Sequence, residues 1–359
     1  MYYKTIKSLQ KCLLDFEEQL KNIREFSNMS TLLENLVPKV LNANKTSLLY
    51  KSIKDDINSL QKQVYASKTL YYNATIVSLY GAYERAIKIA LEIYADYLKL
   101  KCTDEKEKEK LLGVNYDIST DALKRPQDYR LEDSDIIRVL ENLTKVKTSQ
   151  SVEHINADLL FKKQANLKLK VLNQMFAYVS LNETVDKAKK SYQYLSVVKE
   201  QKGLKNIDEA KKYVETDICL IDELVDRRNT VSHEGRESNM ISQEMIISDY
   251  ASRIEAFVSA IILDMISRVM LKMSEEKLLY LLDATWFSRE LIGVKTKDCV
   301  IDNQSIILIL GDGVRCSPVL SMMHKDDFIE SSEGYDEVGI KLIRNCKETY
   351  KYYALPRQR

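Results

Sequence analysis

Apolar residues recur every three or four positions along most of this 359-residue chain, and that spacing predicts long helices. Between residues 3 and 26, Ile6, Leu9, Leu13, Phe16, Leu20 and Ile23 form one seam. About three heptads are too few to specify a coiled coil, so the seam predicts a helix packed on its neighbours. Residues 30–42 read as a separate short helix, with Ser30 as its N-cap and Pro38 against its continuation. From about Lys45 to Leu100 the pattern is helical nearly throughout. Leu49, Ile53, Ile57, Leu60 and Val64 make a first stripe, and Ile76, Leu79, Tyr80, Tyr83, Ile87, Leu91, Tyr94 and Leu98 a stronger second one.

Residues 103–132 lose the pattern. They hold a charge run from Asp104 to Lys110, then Gly113 and Pro126, and read as a polar, irregular insertion. Helix resumes over residues 133–145, with Ser134 as cap and Ile136, Ile137, Leu140 and Leu143 inward. Residues 164–181 and 183–202 predict two more helices, the first burying Leu167, Val171, Leu172 and Met175, the second ending at Gly203. The helix predicted over 207–228 carries Val214, Ile218, Ile221 and Val225 on one stripe. Ser238 or Ser242 would cap a last long helix to about Met273, with Ile246, Tyr250, Ile254, Phe257, Ile261, Met265 and Val269 inward. Long helices with short connections favour an up-down bundle.

The tail changes period. An apolar run over 305–310, then Gly311-Asp312-Gly313, then 314–320, predicts a β-hairpin. Residues 341–353 read as a final helix. The fold class is therefore mostly α: a helical bundle with long N-terminal helices and a small C-terminal α+β appendage. Its divisions are an N-terminal helical extension (1–69), a helical domain (70–288) with the polar insertion at 103–132, and the C-terminal region (289–359).

Composition narrows the function. Charged residues at 30% and hydrophobic ones at 45% describe a globular chain, and nine Gly and four Pro fit long helices. A net charge of +1 gives no global pull on nucleic acid, so RNA binding would need a local basic patch. Cys12, Cys102, Cys219, Cys299, Cys316 and Cys346 form no CxxC pair and lie near no histidine at zinc-ligand spacing, which predicts reduced thiols in a cytoplasmic protein. There is no signal-peptide pattern after Met1, and the apolar runs are too short to span a bilayer. The wealth of Lys, Asn, Ile and Tyr points to an AT-rich bacterial genome. Walker, GxGxxG and HExxH motifs are absent, so no cofactor is expected.

Candidate chemistry gathers at residues 226–235, Asp-Arg-Arg-Asn-Thr-Val-Ser-His-Glu-Gly, which hold one of three histidines. Five helical positions separate Arg228 from His233 by about 140° beyond a full turn, so they converge only if the helix ends between them. Thr230 and Val231 are β-branched, Ser232 competes for backbone hydrogen bonds, and Gly235 is a helix stop. The expectation is that Arg228 occupies the last turn and His233 the frayed end. Imidazole exchanges protons near neutrality and guanidinium grips phosphate, a pair suited to phosphodiester chemistry on RNA. The plain alternative is an ordinary helix end, with Arg228 in a surface ion pair and His233 as a cap. His154, in a weakly patterned stretch, reads as structural or exposed.

These residues resemble the HEPN superfamily signature, an arginine followed by a polar residue and then, a few positions on, a histidine. A second stretch supports the likeness: Val77-Ser-Leu-Tyr-Gly-Ala-Tyr-Glu-Arg-Ala-Ile-Lys-Ile-Ala90 looks like the first core helix of the branch called RiboL-PSP-HEPN. The Ala-Asn-Leu-Lys at 165–168 resembles it more weakly. The likeness is strongest over 70–100 and 208–272 and absent from the N-terminal helices and the tail. It implies a metal-independent endoribonuclease with a composite site at a homodimer interface, leaving 2′,3′-cyclic phosphate and 5′-hydroxyl ends. It further implies a toxin or effector of bacterial antiviral defence, controlled by a partner such as a sensor or ATPase.

By the same likeness His233 is general base or acid, Arg228 stabilises the charged transition state, Asn229 is the polar motif residue and Arg227 contacts phosphate. Glu84 would orient His233 or pair with Arg228; alternatively it is a surface carboxylate paired with Lys88 at i,i+4. One departure is informative. Where toxins silenced by nucleotidyl transfer carry a tyrosine shortly after the histidine, this chain has Gly235 and then Arg236, which argues against that silencing. The alternative function is a non-catalytic HEPN helical module that binds RNA or a partner protein.

Overall fold

The computed structural model describes residues 1–43, 48–163, 166–216, 220–235, 239–296, 299–325, 327–343 and 346–356. Two helices dominate the N-terminal third, α1 (Tyr2–Ala43) and α2 (Leu48–Lys101). They run antiparallel. Tyr2 meets Tyr97, the Cys12 thiol lies 3.4 Å from the carbonyl oxygen of Ala86, Phe26 meets Tyr71, and Lys68 pairs with Glu34. The predicted seam explains the pairing: Ile6, Leu9, Phe16 and Leu20 are buried, with Leu13 and Ile23 partly so. The separate helix expected at 30–42 is instead the continuation of α1. Ser30 caps nothing and is buried in the helix interior, so packing has overridden a local start signal.

The insertion expected to be irregular folds as α3 (Glu105–Lys124), a 3₁₀ turn (Pro126–Tyr129) and α4 (Asp133–Ser149). The charge run is the first turn of α3. The Asp104 side chain accepts the Glu107 N–H at 2.8 Å, and acidic residues favour a helix start. The cap of α4 is Glu132, not Ser134. Its inward face was also misread: Val139 and Val146 are buried, whereas Ile137 and Leu140 are exposed.

Short helices follow: α5 (Leu169–Tyr178), α6 (Thr184–Lys189), α7 (Tyr192–Gln201) and α8 (Ile207–Thr216). The helix expected from 164 begins at Leu169; Gln164 and Ala165 lie outside the described residues. The single helix expected over 183–202 is two, because Ser191 caps α7 by accepting the Tyr194 N–H. The motif helix is α9 (Leu220–Glu234); Ile218, placed on its stripe, lies outside the described residues. Ser242 caps α10 (Gln243–Met245), and a π turn (Ile246–Ala251) leads into α11 (Ser252–Glu275). Ser238, the other candidate cap, is outside the described residues. All seven inward residues predicted for this helix are buried. α11 is apolar almost all round, as befits the centre of the bundle.

The C-terminal region is built of strands: β1 (Tyr280–Leu281), β2 (Asp283–Ser288), β3 (Leu291–Lys295), β4 (Ile306–Leu310), β5 (Val314–Pro318), β6 (Ser321–His324), β7 (Asp327–Ile329), β8 (Glu337–Lys341) and β9 (Lys351–Ala354). The predicted hairpin is β4–β5, with Leu310 opposite Val314. The helix expected over 341–353 does not form. Its ends belong to β8 and β9, and β9 pairs with both β1 and β4. The strands make two antiparallel sheets, β1-β9-β4-β5 and β2-β3-β8-β6-β7. Ile306 and Leu308 join the helical core, while Ile307 and Ile309 pack toward the second sheet. Burial on both faces explains why β4 is an unbroken apolar run.

Trp286 lies flat across the outer row of the second sheet, where Trp286, Gly293, Gly339, Met323 and Phe328 are successive cross-strand partners. A Cβ at Gly293 would stand 2.0 Å from the indole nitrogen. Gly293→Ala should therefore expel the indole and destabilise the protein by about 1–3 kcal/mol. Trp286 is the sole tryptophan, so its emission and the melting temperature report directly. If neither changes, the indole does not rest on Gly293.

Candidate functional site

The motif helix α9 packs on α2, and the site grows from that contact. Leu220, Ile221, Leu224, Val225 and Val231 are buried, so α9 is anchored along most of its length. It does not end after Arg228. The helix continues through His233, Gly235 donates its N–H to the carbonyl of Val231, and Gly235 takes the left-handed conformation at φ +68°. The Asn73 side chain on α2 donates to the Gly235 carbonyl at 2.8 Å and ties this end down. The frayed end expected between Arg228 and His233 is thus corrected, because burial of Val231 outweighs the weak helix propensity of its neighbours.

Continuity separates the two motif side chains by about 140° around the helix. His233 is exposed on the last turn. Arg228 is half-buried one and a half turns earlier, its guanidinium 4.5 Å from the centre of the Tyr80 ring. One guanidinium nitrogen, Nη1, donates to Asn229 Oδ1 at 2.9 Å and to Asn166 Oδ1 at 3.3 Å. Its Nε and Nη2 make no hydrogen bond among the described residues. Stacking on tyrosine stabilises a guanidinium by about 0.5–2 kcal/mol and fixes its plane.

Tyr80 is fixed in turn. Its hydroxyl oxygen accepts the Leu167 N–H at 3.2 Å, and the Tyr83 hydroxyl donates to the Leu167 carbonyl at 2.8 Å. Burial raises the Tyr80 pKa, which the nearby Glu84 carboxylate reinforces and Arg228 opposes. The chain segment beside Arg228 is also held to α9. The Asp222 side chain accepts the Leu169 N–H at 2.7 Å, and Lys168 pairs with Asp226 at 2.6 Å.

Arg227 takes a different role from the one its likeness implied. Its side chain is 13% exposed and pairs with Glu223 at 2.7 Å. It also donates to the Tyr250 hydroxyl at 3.1 Å, the Tyr72 hydroxyl at 3.3 Å and the Asn239 carbonyl at 2.9 Å. Burial works against its charge, but these hydrogen bonds more than compensate and its pKa is raised. Arg227 therefore locks α9 to α2 and the π turn.

Glu84 pairs with Lys88 at 2.8 Å, as the plainer expectation had it, and both it and Arg228 lie close to Tyr80. The structure thus brings Arg228, Asn229, Tyr80 and Asn166 together and leaves His233 apart. Tyr80 belongs to the second apolar stripe and to the run over 77–90, which were its signals. Asn166 lay in the weaker likeness at 165–168, and Asn73 carried no signal. Among the described residues no group of His, Cys, Asp and Glu could hold a metal ion.

Residues 44–267, more than half of the chain, match the RiboL-PSP-HEPN family. The chain belongs to that family. The match spans α2 and most of α11, so it includes both helices that build the site. Membership in this HEPN branch ties the chain to nuclease and RNA-related functions, and HEPN domains often bind RNA and dimerise. No curated protein and no solved structure matches the chain. No helix among the described residues is long and apolar enough to cross a membrane.

Proposed function

We propose that this HEPN protein is an endoribonuclease whose active site is completed by a second copy of the chain. The observation that carries this reading is the state of Arg228: a half-exposed guanidinium clamped over Tyr80, with two nitrogens that make no hydrogen bond among the described residues. A purely structural arginine would spend those donors on the protein, as Arg227 does. Arg228 is instead preorganised to hold the oxygens of a phosphodiester.

In this reading the ribose 2′-hydroxyl attacks the adjacent phosphorus. His233, as imidazole, takes the 2′-hydroxyl proton or, as imidazolium, gives one to the departing 5′-oxygen. Arg228 balances the negative charge that builds on the phosphoryl oxygens. The attacking oxygen comes from the RNA itself, so the step needs no metal-bound hydroxide. Products carry a 2′,3′-cyclic phosphate and a 5′-hydroxyl. Asn229 orients Arg228 through their 2.9 Å hydrogen bond. On the same reading such a dimer is a toxin or effector of bacterial antiviral defence, restrained by a partner protein.

The test is to incubate wild-type protein and His233→Ala with total RNA in EDTA and map the new 5′ ends. Wild type alone should cleave and leave 5′-hydroxyl ends. Equal cleavage by both proteins, or 5′-phosphate ends, would sink this reading.

A further inference from the structure

A cleft of about 660 Å³ lies where the helical bundle meets the first sheet, away from α9. One wall is the α6–α7 corner, contributed by Lys190, Ser191 and Gln193; the other is the β4–β5 hairpin, contributed by Gly313 and Arg315. Its floor is α11 with Asp264 and Ser267, and Cys316 of β5. A second hollow of about 280 Å³ adjoins it, and Lys190 and Arg315 line both.

Most charges around the cleft are already matched. Glu183 pairs with Lys187, Asp312 with Lys347, and Asp264 accepts from Thr184 and Arg268. Lys190 and Arg315 differ. Neither has an ion-pair partner among the described residues. The Arg315 guanidinium is stacked 5.1 Å from the centre of the Tyr350 ring, and its Nε is buried without a hydrogen-bond partner among the described residues. Tyr350 is itself wedged against Gly311, where a Cβ would stand 2.2 Å from the ring. The guanidinium is therefore built into the wall rather than loose on the surface.

We propose that this cleft binds a small phosphorylated ligand of nucleotide size, with its phosphates between Lys190 and Arg315. The fork of a guanidinium and the point charge of an ammonium, facing each other from two walls, suit a di- or triphosphate. A concave space of about 300–1,000 Å³ suits one small molecule rather than a polymer strand. Asp186 acts in the opposite sense. It lies on the cleft wall one helical turn before Lys190, with no ion pair among the described residues, and opposes an anion there.

The experiment is calorimetric titration of the full-length protein with inorganic pyrophosphate, the four ribonucleoside triphosphates and adenosine. Pyrophosphate and at least one triphosphate should bind, and adenosine should not. Lys190→Gln and Arg315→Gln should each weaken binding by about tenfold or more, and Asp186→Asn should tighten it severalfold. Lys190 and Asp186 are exposed, so their variants keep the fold even if Arg315→Gln does not. Lack of pyrophosphate binding, or binding indifferent to Lys190→Gln and Asp186→Asn, would overturn the proposal. So would a short RNA strand that binds through these residues while triphosphates do not. None of these readouts uses RNA cleavage, so the outcome is independent of the nuclease reading.

Discussion

Mixing Arg228→Ala with His233→Ala protein should restore RNA cleavage that neither variant shows alone. The expectation follows from α9 being an unbroken helix from Leu220 to Glu234. Five positions on such a helix point Arg228 and His233 about 140° apart, so one chain cannot easily direct both at one phosphate. A site made from two copies removes the difficulty, because the arginine of one chain can face the histidine of the other. In a mixed dimer one Arg228 and one His233 survive, on different chains. Each single variant should lose about a hundredfold or more of its cleavage rate, the usual scale for removing one charge-stabilising or proton-transferring group. The mixture should recover activity with a maximum near equal proportions. Persistent inactivity at every ratio, with mixed dimers shown to form, would mean that both residues must act from the same chain.

That prediction depends on a point that the amino-acid pattern misjudged. Thr230, Val231 and Ser232 are weak helix formers, and Gly235 is a stop, so a break before His233 was a reasonable expectation. Gly235 was read correctly, with its φ of +68°. The residues before it stay helical because Val231 is buried and the Asn73 side chain holds the Gly235 carbonyl. Neither is visible from local propensity: the burial comes from tertiary packing, and Asn73 lies on α2, more than 150 residues earlier.

Periodicity fared best where helices are long and one face is buried. The seam of α1, the second stripe of α2 and the inward residues of α11 all lie in the core. It fared worst where partners are distant or the burial is partial. On α4 the more apolar-looking positions, Ile137 and Leu140, face outward, and Val139 with Val146 faces in. In the tail, residues 351–354 form a strand only because β1 and β4 supply its partners, a pairing no local pattern records. The family was legible in the motif and in the run over 77–90. What that motif could not reveal is which of two adjacent arginines points inward, since Arg227 and Arg228 lie three and four positions after the buried Leu224.

Arg227→Ala should lower stability, while Arg228→Ala should leave it nearly unchanged. Both changes remove one guanidinium from α9, yet the consequences differ. Truncating Arg227 removes one donor each from the Tyr72 and Tyr250 hydroxyls and the Asn239 carbonyl, and the ion pair from Glu223. Glu223 is 41% exposed, so water screens its loss and that pair contributes modestly. The larger cost comes from the charged hydrogen bonds lost to the buried Tyr72 and Tyr250 side chains, and we expect about 2–3 kcal/mol in total. For a chain of this size that corresponds to a fall of about 5 °C in melting temperature. Arg228→Ala sacrifices only a half-exposed stack on Tyr80 and hydrogen bonds to two asparagines that water can replace. Thermal unfolding of the two variants side by side decides the matter. Equal melting temperatures would mean that Arg227 is not the lock its contacts describe, and any loss of cleavage in Arg227→Ala would then have to be assigned to contact with RNA.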